Sequence, residues 1–132
     1  MACDRLSQDA IQRVSGPSWE PLKQAFFKIS EALLSVSQEA AGVLTTIYVK
    51  YQVNSSPNSA VYAIVWLKDS KQIVVGLTLA ENYESELLGP APPRTKYKGI
   101  NQYFIVKPGE AVPSELSQWA VAAFQNALAQ NQ

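Results

Sequence analysis

Apolar residues recur along this chain with two different periods. In "SWEPLKQAFFKISEALLSVSQ", Leu22, Phe26, Ile29, Leu33 and Val36 follow one another at intervals of four and three. That spacing lines one side of an amphipathic helix. Ser18 is the predicted N-cap, and Pro21 is tolerated because first-turn amides have no intrahelical acceptor to lose. Towards the other end, Leu116, Trp119, Ala120, Ala123, Phe124, Ala127 and Leu128 predict a second helix with a broad apolar face, and Pro113 suits its first turn. Residues 1–15 predict a short polar helix or arm, with Leu6, Ala10, Ile11 and Val14 as a narrow stripe, closed by the breaker "SGPS".

Between the helices the period changes to two. "GVLTTIYVKYQV" sets Val43, Thr45, Ile47, Val49 and Tyr51 on one face of a strand, with Leu44, Thr46, Tyr48, Lys50 and Gln52 on the other. After the turn-rich loop "NSSPNS", the segment "AVYAIVWLKDSKQIVVGLTL" predicts a hairpin turning near Asp69-Ser70. Its first face carries Val61, Ala63, Val65 and Leu67 against Ile73, Val75, Leu77 and Leu79, apolar without interruption and therefore core. The second is mixed: Tyr62, Ile64, Trp66 and Lys68 oppose Gln72, Val74, Gly76 and Thr78. "GPAPPR" predicts an extended connection, and "NQYFIV" a further strand. A run of strands between helices gives an α+β fold: an antiparallel sheet of four to five strands with two main amphipathic helices on one face. An arm over 1–15 and a single domain over 16–132 are expected. A doubly wound fold is excluded, since neither βαβ alternation nor a glycine-rich turn after the first strand is present.

Composition narrows the chemistry. Eleven basic and eleven acidic residues leave no net charge, so global electrostatics favours neither nucleic acid nor an anionic membrane as partner. Histidine is absent, which removes the commonest general base and transition-metal ligand. The one cysteine, Cys3, allows no intrachain disulfide and no thiolate cluster. No apolar run approaches the ~20 residues of a membrane span, and "MACDRLSQDA" is too charged for a signal peptide. The chain reads as cytoplasmic, with no cofactor. Without histidine, a P-loop or G-x-S-x-G, and with no S-x-x-K at a helix start, no catalytic constellation is found, so no enzyme is expected.

The second half carries a resemblance. "AIVWLKDSKQIVVGLTL", an acidic segment ending in "ELLG", and "TKYKGINQYFIVKPGEAVPSELSQWAVAAF" are similar to the small YdhG-like domains of bacteria. With the helix from Ser18 and the strand "IYVKYQ", the resemblance spans about 18–128. It implies a compact α+β fold. Some members are described as frataxin-like iron chaperones, which implies a metal carrier without a residue motif to place on this sequence.

Four stretches are candidates for function. In "PRTKYKG", Arg94, Lys96 and Lys98 alternate with Thr95 and Tyr97, so the cations share one side of an extended chain. They suit a phosphate or carboxylate, with Tyr97 as a stacking ring and Lys107 approaching from beyond the next strand. The alternative is that they only blunt an exposed strand edge. The mixed sheet face offers Tyr48, Tyr62 and Trp66 with Lys50 and Lys68 over a gap at Gly76, a platform for a small molecule or peptide unless the arm or a second subunit covers it. Glu81, Glu84 and Glu86 lack calcium-loop spacing and are expected to be a solvated turn. Cys3 is expected to be an unstructured thiol. The expected function is therefore a non-catalytic binding module for a small anionic ligand or a protein partner. The rivals are a nucleic-acid-associated protein using Arg94–Lys98, a metal carrier, and a homodimer formed through an edge strand or the mixed face.

Overall fold

The two long apolar stripes become helices, and the period-two segments become one sheet. The computed structural model describes residues 6–80, 83 and 85–130. In chain order these form α1 (Gln8–Arg13), a 3₁₀ turn (Pro17–Trp19), α2 (Glu20–Leu34), β1 (Ala41–Thr45), β2 (Tyr48–Gln52), β3 (Val61–Trp66), β4 (Ile73–Leu77), β5 (Gln102–Val106) and α3 (Leu116–Gln130). The strands form an antiparallel meander in the order β1-β2-β3-β4-β5. Helix α2 packs on β1, α3 on β3 and β4, and the two helices on each other. The class is α+β. No helix among the described residues is long and apolar enough to cross a membrane.

Three local expectations change. Ser18 does not cap α2: Pro17, with its φ fixed in the helical range, opens a 3₁₀ turn, and the α2 N-cap is Trp19 without a side-chain hydrogen bond. "GVLTTIYVKYQV" is not one strand but the β1–β2 hairpin, with Thr45 opposite Tyr48 across Thr46-Ile47. Thr46 takes φ 48°, the left-handed region that two-residue hairpin turns require. The third change is a bulge in β3. Tyr51 pairs with Ala63 and Gln52 with Val61, so Tyr62 is the extra residue.

Buried residues form two clusters, one on each face of the sheet. The helix side holds Val49, Tyr51, Ala63, Val65, Ile73, Val75, Leu77, Phe104 and Val106 against Phe26, Ile29, Leu33, Trp119 and Ala123. Leu6, Ala10 and Val14 of the N-terminal segment belong to the same cluster. Leu128, counted on the apolar face of α3 by its spacing, is instead 41% exposed. The opposite cluster is Ile64, Trp66, Val74, Ile100 and Tyr103, with Tyr48, Val61, Ala91 and Tyr97 packed against it. All five β4 residues are buried, which requires cover on both faces.

Both edges of the sheet are closed at specific atoms. On β1, the Ser7 N–H donates to the Gly42 carbonyl at 2.8 Å, and the Ser7 hydroxyl accepts the Leu44 N–H at 3.1 Å. On β5, Tyr103 and Gly89 exchange both backbone bonds at 2.8 and 2.9 Å, and the Lys107 N–H donates to the Glu110 carboxylate at 2.7 Å. Arg13 donates to the Leu67 and Lys68 carbonyls at 2.6–3.0 Å and ties α1 to the end of β3.

Candidate functional site

The stretch read as an extended connection is a strap across the second face of the sheet. It begins at Gly89, held against Tyr103, and ends at Asn101, whose side-chain amide bonds both the N–H and the C=O of Leu79 at 2.9 and 2.7 Å. Two β-turns shape it. In the first, the Thr95 N–H and hydroxyl both donate to the Pro92 carbonyl, at 3.2 and 2.7 Å. Pro93 supplies the fixed φ of the second position, and Arg94 takes φ 65° in the third, where glycine is unstrained. In the second, the Ile100 N–H donates to the Tyr97 carbonyl at 3.0 Å, and Gly99 fills the left-handed position at φ 90°.

Each predicted site residue can now be placed. Arg94, Lys96 and Lys98 are exposed, while Thr95 is buried and Tyr97 half-buried. The alternation therefore holds through the turns, with the cations outward and their neighbours against the sheet. Tyr97 is not a free stacking ring, since it packs edge-on to Tyr48 at 5.8 Å between centroids. Lys107 does not join the cations. It is exposed directly after β5 and lines none of the three depressions beside the strap.

The expected open aromatic platform is covered. Trp66 is 5% exposed and Ile64 fully buried, with Trp66 between the rings of Tyr48 (6.2 Å) and Tyr103 (5.8 Å). Ala91, Tyr97 and Ile100 of the strap supply the cover, whereas Leu6, Ala10 and Val14 of the N-terminal segment pack on the helix side. The gap over Gly76 is filled, because a Cβ there would lie 2.5 Å from Ile100 Cγ2. Tyr62 is not on this face. The bulge turns it to the helix side, where its hydroxyl donates to the Leu33 carbonyl at 2.6 Å and its ring meets Phe124 at 5.3 Å. Lys50 remains half-buried on the strap side of β2, opposite Ile64, and Lys68 is exposed at the end of β3.

The strap leaves depressions beside its cations. One of about 480 Å³ is bordered by Lys96 and Lys98 and walled by Ala91, Tyr97, Ile100 and Tyr103. A second of about 430 Å³, beyond the Tyr97–Lys98 backbone, reaches Val61, Thr78 and Ala127. A crevice of about 140 Å³ separates Pro93 and Thr95 from Trp66 and Lys68. Burial raises the Tyr97 phenol above its ordinary pKa, and the neighbouring Tyr48 adds to the shift. Tyr103 is raised by burial as well, opposed by a hydrogen bond with the Tyr97 backbone. Both phenols are thus neutral, polar walls at physiological pH. Sequence reasoning missed Ala91, Ile100 and Tyr103 as lining residues. The signal for Ile100 was an isolated apolar residue directly after the turn glycine.

The carboxylate and thiol candidates are not developed by the structure. Cys3, Glu81 and Glu84 lie outside the described residues, and Glu86 is exposed. Among the described residues there is no group of three or more carboxylate, thiol or imidazole side chains that would hold a metal ion. No family model, curated protein or solved structure matches the chain.

Proposed function

We propose that the protein is a non-catalytic binding module for a small organic anion, held in the depression between Lys96 and Lys98. One observation carries this reading: two lysines line a single concavity whose other walls, Asn101 apart, are apolar or aromatic. A ligand with a phosphate or carboxylate at one end and a flat or apolar body gains from both parts. The lysines meet its charge, and Ala91, Ile100 and Tyr97 cover its body. Arg94, two residues before Lys96, is exposed but does not line this depression. The YdhG-like resemblance adds no residue to this site.

The test is thermal stabilisation by matched pairs of probes: AMP against adenosine, and indole-3-acetate against its amide. A ligand at ten times its Kd adds about 1.4 kcal/mol of stability, or roughly 4–7 °C in Tm for a domain of this size. The anionic member of a pair is expected to raise Tm and its neutral counterpart to leave it unchanged. A Lys96→Ala/Lys98→Ala variant is expected to keep its own Tm and lose the shift. If no anionic probe moves Tm, or if the variant responds like the parent, the reading is wrong.

A further inference from the structure

We propose that the solvent side of α3 is a self-association surface whose occupant is α3 of a second copy of this chain. The fifteen residues Leu116–Gln130 include no charged side chain. By contrast, the exposed side of α2 carries Glu20, Lys28 and Glu31. On α3 the exposed positions include Gln118, Val121, Gln125 and Leu128, spaced three, four and three apart, which is the seam spacing of paired helices. Val121 is 45% and Leu128 41% exposed, two turns apart on one line of the helix. Beside Val121, a groove of about 240 Å³ is lined by Ala32, Ser35 and Val36 and by Ser117 of α3, uncharged like the strip itself.

The character of the strip selects the occupant. A charged partner would lose hydration there and find no opposite charge in return. A second α3 meets like with like. In an antiparallel pairing Val121 of one protomer faces Leu128 of the other, and the two Gln125 side chains meet near the two-fold axis. Glutamine carries both donor and acceptor, so it complements itself across that axis, whereas a lysine or glutamate would repel its own copy. Neither does long-range charge oppose the encounter, because the chain is neutral overall. The helix is about 22 Å long, so the contact is smaller than the roughly 800 Å² per partner of a standard interface. The dimer is accordingly weak and appears only at high protein concentration.

Sedimentation equilibrium of the full chain tests this, from about 10 to about 500 µM, a range chosen for an interface below standard size. The weight-average mass is expected to climb from 14.5 kDa towards twice that value. A Val121→Glu/Leu128→Glu variant is expected to stay monomeric throughout, with unchanged far-ultraviolet circular dichroism because both positions are exposed. A Val121→Lys/Leu128→Lys variant is expected to do the same. Mixing the two variants in equal amounts should restore the heavier species, since opposite charges then face each other across the seam. A parent that stays at 14.5 kDa overturns the proposal. So does a glutamate variant that associates as the parent does, or a mixture that remains monomeric.

Discussion

At position 76 an added Cβ would lie 2.5 Å from Ile100 Cγ2, 2.9 Å from Tyr103 Cε2 and 3.1 Å from Trp66 Cζ3. None of these atoms ends a long, flexible side chain, so the strap or the rings must shift to make room. Overpacking of this kind costs about 1–3 kcal/mol. Gly76→Ala is therefore expected to lower stability by that amount in urea unfolding, and Gly76→Ala/Ile100→Ala to lose less than the sum of the two single losses. Full additivity would mean that Ile100 is not what fills the space over Gly76. The glycine was legible in the sequence as a gap; its filling was not, because Ile100 lies 24 positions further on and outside any periodic segment. Tyr62 was misplaced for a different reason. Period-two counting assigns it to the strap side, and one bulge in β3, opposite the Tyr51–Gln52 step of the facing strand, is enough to turn it over.

At the scale of elements, legibility follows the strength of the local chemistry. The β3–β4 turn announces itself through Asp69 and Ser70, whereas the β1–β2 turn is made of Thr46 and Ile47, β-branched residues with strand propensity. A left-handed backbone at Thr46 is a tertiary outcome, imposed once Leu44 and Val49 pair across the hairpin. The N-terminal segment was legible as a stripe but not as an edge closure. That role rests on Ser7, which accepts the Leu44 N–H, donates to Gly42 and also accepts the Ala10 N–H at 3.4 Å as the α1 N-cap. Removing its hydroxyl strips an acceptor from both amides. Ser7→Ala is expected to cost about 1–2 kcal/mol and to speed hydrogen exchange at the Leu44 amide, with Ser7→Thr recovering most of the loss. An unchanged exchange rate at Leu44 would show that water replaces the hydroxyl and that Ser7 does not close this edge.

At the scale of the whole molecule the sheet is the middle of three layers, with helices on one side and the strap on the other. Period-two counting gives the strands "VYAIVW" and "IVVGL" one apolar and one mixed face, the second a candidate open platform because no periodic element is left to cover it. A strap built from turns and prolines has no period to detect. Its attachment is partly phenolic, and that makes it sensitive to alkali. Tyr97 and Tyr103 have pKa values raised in the folded protein, mainly by burial, above the ordinary 10.0 that applies when the chain unfolds. A raised folded pKa means that the native state holds its protons while the unfolded state releases them. The contribution to stability is full below pH ~10 and is lost as pH rises from there through the folded values. Tm is therefore expected to fall above pH ~10. Tyr97→Phe removes one of these protons without removing the ring that packs on Tyr48. The variant is expected to match the parent near neutral pH and to decline less steeply between pH ~10 and ~11.5, as read by circular dichroism melts. Lysine deprotonation acts on both proteins alike, so it is the difference between the two curves that reports the phenol. Parallel curves across that window would mean that Tyr97 titrates equally in both states, and that the strap does not bury it.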